Sequence, residues 1–222
     1  MPDKTKLLSV CQGFERLAPR LAPIDLTYPV YAVLTSLSPA FAGCFDHLAY
    51  FGIRNELAVD RGPGLVLFVS EAMLQRIPSH LAPEVLFWIL LHEFGHAICS
   101  LASGEFQSWV EMLATVQTPK LSAFAANRMS SMTDPAQSDA GPQLESHGLT
   151  FTRVMAHLDY RLRRAGIESE IAAAGERYGQ RPYRECLVAL GDEPARSVDK
   201  PFSEIISREL PPEFASCLVE QC

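Results

Sequence analysis

The pattern of apolar residues singles out residues 83–103, where an apolar run, Val85 to Leu91, is followed at once by polar positions. Pro83 and Glu84 suit the first turn of a helix, because proline's missing N–H needs no partner there and a carboxylate is stabilised by the helix dipole. Ser103-Gly104 offers a stop signal. The pattern therefore predicts one long apolar helix, around which the rest of the chain is organised.

The remaining apolar positions predict a chain that is mostly helical with a few strands. Helical spacing marks 6–21 and 151–165, whereas runs rich in β-branched residues predict strands over 28–36 and 65–70. Further helices are predicted at 71–77, with Ser70 as its cap, and at 105–114, 119–132, 168–177, 184–190 and in two pieces of 201–222 divided by Pro211-Pro212. This order of elements indicates an α+β fold with a small sheet.

The helix predicted over 151–165 has two contrasting faces. Its apolar positions recur at helical spacing and are Phe151, Val154, Met155, Leu158 and Leu162. Its other side is basic and carries Arg153, Arg161, Arg163 and Arg164. We interpret these arginines as a solvated face rather than a ligand-binding patch.

Composition describes an ordinary globular protein. Hydrophobic residues make up 48% of the 222 residues and charged residues 20%, which suits one well-formed core. The net charge of −7 and the pI near 5.4 argue against a broad nucleic-acid-binding face.

Cysteine usage and the N-terminus predict a cytoplasmic protein with free thiols. The six cysteines are scattered, with no C-x-x-C pair, so a zinc ribbon is not expected. The first residues carry no apolar run long enough for a signal peptide, and charge interrupts the run at Val85 before it reaches the length of a membrane span. We therefore expect no membrane association and a reducing compartment.

The long apolar helix contains H-E-x-x-H, spelled His92-Glu93-Phe94-Gly95-His96. Residues four apart lie on one face of a helix, so His92 and His96 can present two imidazole nitrogens to one cation. Two imidazoles hold Zn²⁺, a third ligand completes the protein's share, and the open fourth position carries a water of lowered pKa. Glu93 can accept the proton of that water and pass it to the leaving amine.

A helix whose histidines bond only to the backbone is the alternative interpretation. Burying two imidazoles and a carboxylate without partners is costly, however, and a cation satisfies all three groups. The motif therefore predicts a zinc site, and the identity of the third ligand defines its class. The metzincin pattern would need glycine at position 99 and histidine at 102, where this chain has Cys99 and Ala102.

Three stretches of the chain, taken in order, carry a resemblance to a known protein family. A strand that ends in serine and runs into a short helix occupies residues 67–74, the motif helix follows with residues 90–97, and His147-Gly148-Leu149-Thr150-Phe151 opens another helix. Together they resemble the SprT-like (Spartan-type) zinc metallopeptidases over roughly residues 65–165. The resemblance implies a zincin-like fold in which a small sheet packs on the H-E-x-x-H helix.

The same resemblance implies that the zinc ligands are His92, His96 and His147 and that Glu93 is the general base. This chain departs from the family in the longer stretch between its second and third histidines, in Leu149-Thr150 where Pro-Glu is usual, and in having neither a cysteine ribbon nor a basic tail. A nucleic-acid-bound substrate therefore rests on family analogy alone. In zincin folds the strand before the motif helix forms a wall of the substrate cleft, and an edge strand there could bind extended peptide by strand addition.

Glu111 is an alternative third ligand. It follows His96 by fifteen residues on a predicted helix, which is the gluzincin plan, and Glu105 is a poorer variant of the same idea. Glu145 could orient a metal ligand by contacting that ligand, without binding the metal itself. We interpret His80 and His157 as surface or core histidines, and neither His157 nor Tyr160 is favoured as a helper that polarises a substrate carbonyl.

These observations predict a single zincin-like domain over 1–222. It would comprise a metal-site core at 65–165, a helical or loop insertion at 103–146, and a C-terminal helical extension at 167–222. The expected function is a zinc metalloendopeptidase acting on protein or peptide substrates. The alternatives are an inactive zincin-like domain in which structural zinc supports partner binding or regulation, and a helical interaction module without metal.

Overall fold

The computed structural model of the protein describes residues 2–26, 29–35, 43–46, 65–102, 148–167 and 183–216. Within these ranges it has three strands, β1 (Val30–Thr35), β2 (Gly43–Asp46) and β3 (Leu65–Ser70). It also has eight helices: α1 (Lys4–Leu21), α2 (Glu71–Leu74), α3 (Ala82–Ala102), α4 (Leu149–Arg164), α5 (Tyr183–Leu190), α6 (Glu193–Arg196), α7 (Phe202–Ser207) and α8 (Pro212–Ser216). The prediction of a mostly helical α+β protein with a small sheet is confirmed.

The sheet has the strand order β1-β3-β2. β1 runs parallel to β3, with Val30 opposite Leu65, and β2 runs antiparallel to β3, with Gly43 opposite Val69. All side chains of β1 and β3 are buried, as is usual for strands covered on both faces. One face joins α1 and α3 in the main core, so the small sheet packs on the motif helix as predicted.

The place of β3 corrects one expectation. Strand addition needs a free edge, and both edges of β3 are already paired, one with β1 and one with β2. The strand before the motif helix is therefore central, and it does not offer its backbone to an extended peptide.

Capping side chains fix the starts of two helices. The Asp3 carboxylate accepts hydrogen bonds from the backbone N–H groups of Thr5 (3.0 Å) and Lys6 (3.4 Å), which begins α1. Ser70 Oγ accepts one from the N–H of Met73 at 3.3 Å, which confirms the predicted cap and carries β3 directly into α2. Both satisfy donors that a helix leaves unpaired at its first turn.

Two of the four arginines of α4 are buried, so the interpretation of a solvated basic face is wrong for them. Arg153 is 2% exposed and Arg161 is 6% exposed, whereas Arg163 and Arg164 are exposed. Arg153 Nε donates to Glu193 Oε1 at 2.8 Å, and its Nη1 donates to the Arg208 carbonyl at 2.9 Å. A buried guanidinium is tolerated here because a carboxylate and a carbonyl accept its hydrogen bonds.

Arg161 joins three parts of the chain. Its Nη1 donates to the carbonyl of Leu21 at the end of α1 (2.6 Å) and its Nη2 to the carbonyl of Lys200 (2.8 Å). The guanidinium carbon also lies 4.3 Å from the ring centroid of Phe202, a residue of the main core. Residues 193–208 are therefore fastened to α4 by buried charges as well as by apolar contact.

His157 is a fully buried core histidine. Its Nε2 lies 3.1 Å from Glu193 Oε1, the same oxygen that accepts from Arg153. Burial lowers the pKa of His157 to about 4, although Glu193 opposes that shift and Arg161 and Arg153 add to it. The imidazole is thus neutral at physiological pH.

Acidification is expected to destabilise the fold through His157 between about pH 6.5 and pH 4. Because the pKa is lower in the folded state, the unfolded chain binds more protons in this range. The contribution to the free energy of unfolding is therefore complete above pH 6.5 and falls as the pH approaches 4, by at most about 3 kcal/mol. Urea unfolding from pH 7.5 to 4 measures it.

The matched variants for this measurement are His157→Gln and, at an exposed position, His80→Gln. His157→Gln is expected to flatten the pH dependence of unfolding, while His80→Gln keeps the dependence of the wild type. If the free energy of unfolding of His157→Gln depended on pH as it does in the wild type, His157 would not be the cause of the acid destabilisation.

Candidate metal site

The motif lies in the middle of α3, which begins at Ala82, one residue before the predicted start. Leu86, Leu90 and Phe94 are completely buried and face the main core. His92 is 9% exposed and Glu93 8% exposed, while His96 is more accessible. Helical periodicity thus turns the core residues one way and leaves the two histidines together at the edge of the buried region.

The two imidazoles point at each other through their Nε2 atoms, which are 3.2 Å apart. Tetrahedral zinc with Zn–N bonds of 2.0–2.1 Å places two ligand nitrogens about 3.3 Å apart. The pair therefore has the spacing that one cation requires. The same separation also allows one neutral ring to donate a hydrogen bond to the other.

Two aromatic side chains pack against the imidazole pair. Phe151, from the first turn of α4, is stacked on His96 with ring centroids 4.2 Å apart, and its edge meets His92 at 5.1 Å. Trp88 lies 5.1 Å from His92 at an interplanar angle of 32°. Such packing restricts the ring orientations of both histidines, which is how supporting side chains preorganise a metal site.

Gly95, inside the motif, lets α4 approach this closely. A Cβ at position 95 would lie 2.4 Å from Met155 Sδ and 3.2 Å from Phe151 Cε2. Both partners are buried and belong to α4. A Cβ at position 95 would therefore displace the buried side chain of Met155 and press on the ring of Phe151, which stacks on His96.

Glu93, which follows His92 in the chain, is buried, and burial raises the pKa of its carboxyl to about 8. Without a nearby positive charge the carboxyl keeps its proton at neutral pH. A cation held by the histidines would favour the ionised form, because an opposite charge within a few ångströms lowers a carboxyl pKa. A cation beside Glu93 would therefore increase the fraction of the carboxyl that is ionised and able to accept a proton.

The residues considered as third ligand, His147 and Glu111, lie outside the described residues, as do Glu105 and Glu145. Among the residues that are described, no three His, Cys, Asp or Glu side chains are grouped so as to hold a metal ion. Of the candidate residues, the described part of the chain brings together His92 and His96, and its next segment begins at Gly148, the N-cap residue of α4.

Among the described residues, no other candidate is grouped with the pair. His157 contacts Glu193 in the core, and His80 is exposed in the turn before α3. Cys11 and Cys99 are free thiols, as expected, and burial raises the pKa of each to about 12. Neither is a thiolate at neutral pH.

Sequence reasoning did not single out Trp88 or the packing role of Gly95. Trp88 precedes His92 by four residues, so the same i, i+4 spacing that joined the histidines could have found it. No sequence signal specifies the approach of Met155 to Gly95, because that contact depends on how α4 crosses α3.

Searches against protein-family models, curated proteins and solved structures found no match for this chain. In the part of the chain that the structure describes, every helix is too short or too polar to cross a membrane.

Gly95→Ala is expected to lower the free energy of unfolding by about 1–3 kcal/mol, because the added methyl group overpacks the contact with Met155 and Phe151. The better helix propensity of alanine, about 1 kcal/mol, offsets only part of this cost. Gly13→Ala in α1 is the matched control, since a Cβ there meets nothing within 4 Å. It should stabilise the protein by roughly 0.5–1 kcal/mol. Chemical denaturation compares the two, and a stabilised Gly95→Ala would contradict the packing described for Gly95.

Proposed function

We propose that this protein is a zinc-dependent metallopeptidase of the SprT-like, zincin type. The observation that carries the proposal is the 3.2 Å separation of the Nε2 atoms of His92 and His96 on one face of α3. The spacing suits two ligands of one tetrahedral zinc ion, and Glu93 follows the first ligand directly in the chain.

His92 and His96 would supply two of the protein ligands and His147 the third. Phe151 at the first turn of α4 stacks on His96, and residue 147 directly precedes Gly148, the N-cap of that helix. The start of α4 is thus already beside the pair, which supports His147. Glu111 is the alternative third ligand, in a gluzincin arrangement. When bound, zinc supplies a Lewis acid that polarises a peptide carbonyl and lowers the pKa of water.

Glu93 would move the proton in hydrolysis. Its carboxylate accepts a proton from the attacking water, whose oxygen forms the new bond to the carbonyl carbon, and it returns that proton to the nitrogen as the C–N bond breaks. The buried position of Glu93 gives its carboxyl a high affinity for the proton, which suits a group that must accept and then release it near neutral pH.

A zincin-like domain with structural zinc, acting as a partner-binding or regulatory module, is the second candidate. The burial of His92 and Glu93 favours it, since a metal enclosed by protein has no position for a substrate. The two functions differ in one outcome: the structural domain retains zinc but does not cleave peptides.

Zinc content per chain is expected to be one in the purified full-length protein and to fall in variants that lack a ligand. His92→Ala and His147→Ala should lose the metal, whereas Glu111→Ala should retain it. Elemental analysis measures this, and His80→Ala is the matched control at an exposed histidine. If Glu111→Ala loses zinc and His147→Ala keeps it, the gluzincin arrangement replaces the SprT-like one. A chain that never retains zinc would contradict the whole proposal.

Glu93→Gln is expected to keep zinc and to lose peptidase activity by about 10²–10⁴-fold, because the amide cannot accept the proton of water. Cleavage of unfolded protein substrates by the zinc-loaded chain is the assay. Glu84→Gln, which removes a carboxylate from an exposed position of the same helix, is the matched control. Equal activity in Glu93→Gln and wild type would exclude Glu93 as the base.

A further inference from the structure

Trp88 shares a face of α3 with the histidine pair. Trp88 lies four residues before His92, and His96 lies four residues after His92. The three side chains therefore form one line along the helix. The indole ring is 5.1 Å from the His92 ring. Trp88 is therefore next to His92 on the side of the pair that faces the N-terminus of α3.

Trp88 differs in exposure from Phe151, the other aromatic residue that contacts the pair. Phe151 is 3% exposed and its ring is used in packing against His92 and His96. Trp88 is only partly buried, although it also touches the main core. Because the indole Nε1 of Trp88 is buried, any exposed part of its ring is apolar, whereas Phe151 has little surface left to offer a ligand.

The aromatic residue next to Trp88 in α3 does not share its position beside the histidine pair. Phe87 is also partly buried, but its ring packs edge-on against Phe14 of α1, at 5.7 Å. It belongs to another face of the helix. Of these two adjacent aromatic side chains, Trp88 alone contacts a motif histidine in the described part of the chain.

We propose that Trp88 is a specificity-determining residue that forms an apolar wall next to the metal position. The preferred substrates would then be peptides with a large apolar side chain, above all an aromatic one, adjacent to the scissile bond. This inference rests on the proposed peptidase function and names its substrate class. The physical reason is that an aromatic side chain gains from ring–ring contact with the indole as well as from removal of its apolar surface from water.

The test uses the zinc-loaded full-length chain and a synthetic peptide library that varies the two residues flanking the cleaved bond. Mass spectrometry of the products gives the preference at each position, and kcat and KM are then measured for a matched pair of peptides that carry phenylalanine or alanine there. Wild type, Trp88→Ala and Trp88→Leu are compared, with Phe87→Ala as the control that removes an aromatic side chain from the other face of the helix.

The wild type is expected to prefer the phenylalanine peptide, and Trp88→Ala to reduce that preference about tenfold, mainly through KM. Phe87→Ala should keep the preference. Trp88→Leu should weaken the preference for phenylalanine and retain zinc, so it replaces Trp88→Ala if the latter does not fold. Unchanged preference in zinc-loaded Trp88 variants would overturn the inference and leave the peptidase function standing. A zinc-loaded wild type that cleaves no peptide would overturn the peptidase function and, with it, this inference.

Discussion

The direct packing of α4 on the motif-bearing face of α3 is the contact on which the candidate site depends. It is possible because residue 95 has no Cβ, so Met155 and Phe151 can approach the backbone of α3. The same approach stacks Phe151 on His96 and brings the first turn of α4 beside both imidazoles. The orientation of two side chains on one helix is thus set by a second helix that is far away in the sequence, which is a tertiary means of preorganising ligands.

Buried charges hold α4 in that position. Arg153 pairs with Glu193, and Arg161 donates to carbonyl groups at the end of α1 and at Lys200. Each of these guanidinium groups would be costly to bury alone, and each is tolerated because acceptors meet it. Removing one hydrogen-bond acceptor therefore costs more stability than the modest net contribution of that hydrogen bond, because a buried donor is left unpaired. Residues 193–208 act through these contacts as a support for the helix that packs on the motif.

Local pattern accounts for what the sequence predicted well. The long apolar helix, the amphipathic α1, the strand at 65–70 and the Ser70 cap all follow from periodicity and from side chains that satisfy nearby backbone groups. Periodicity failed for Arg153 and Arg161 because their buried partners lie 40 and 140 residues away in the chain, and charge alone indicated a solvated face. Local pattern also did not predict that β3 is the central strand, because strand order is a property of the whole sheet.

The candidate site likewise combines features that local sequence predicts with features that depend on tertiary structure. The i, i+4 spacing of His92 and His96 is enough to predict that the rings can meet, and the structure brings their Nε2 atoms to 3.2 Å. The pKa of Glu93 depends on how deeply α3 is buried, which no short motif reports. The choice between His147 and Glu111 depends on long-range placement of segments outside the described residues, and it stays a prediction.

X-ray absorption at the zinc edge, measured on the zinc-loaded full-length protein, distinguishes zinc bound by the histidine pair from zinc bound elsewhere. We expect nitrogen or oxygen ligands at about 2.0–2.1 Å, including at least two imidazoles, and loss of the imidazole signal in a variant that lacks both His92 and His96. Because the chain has six cysteines, the opposing result is well defined. A shell of sulfur ligands at about 2.3 Å that is unchanged in the double variant would show that zinc binds elsewhere and that the histidine pair is not a metal site.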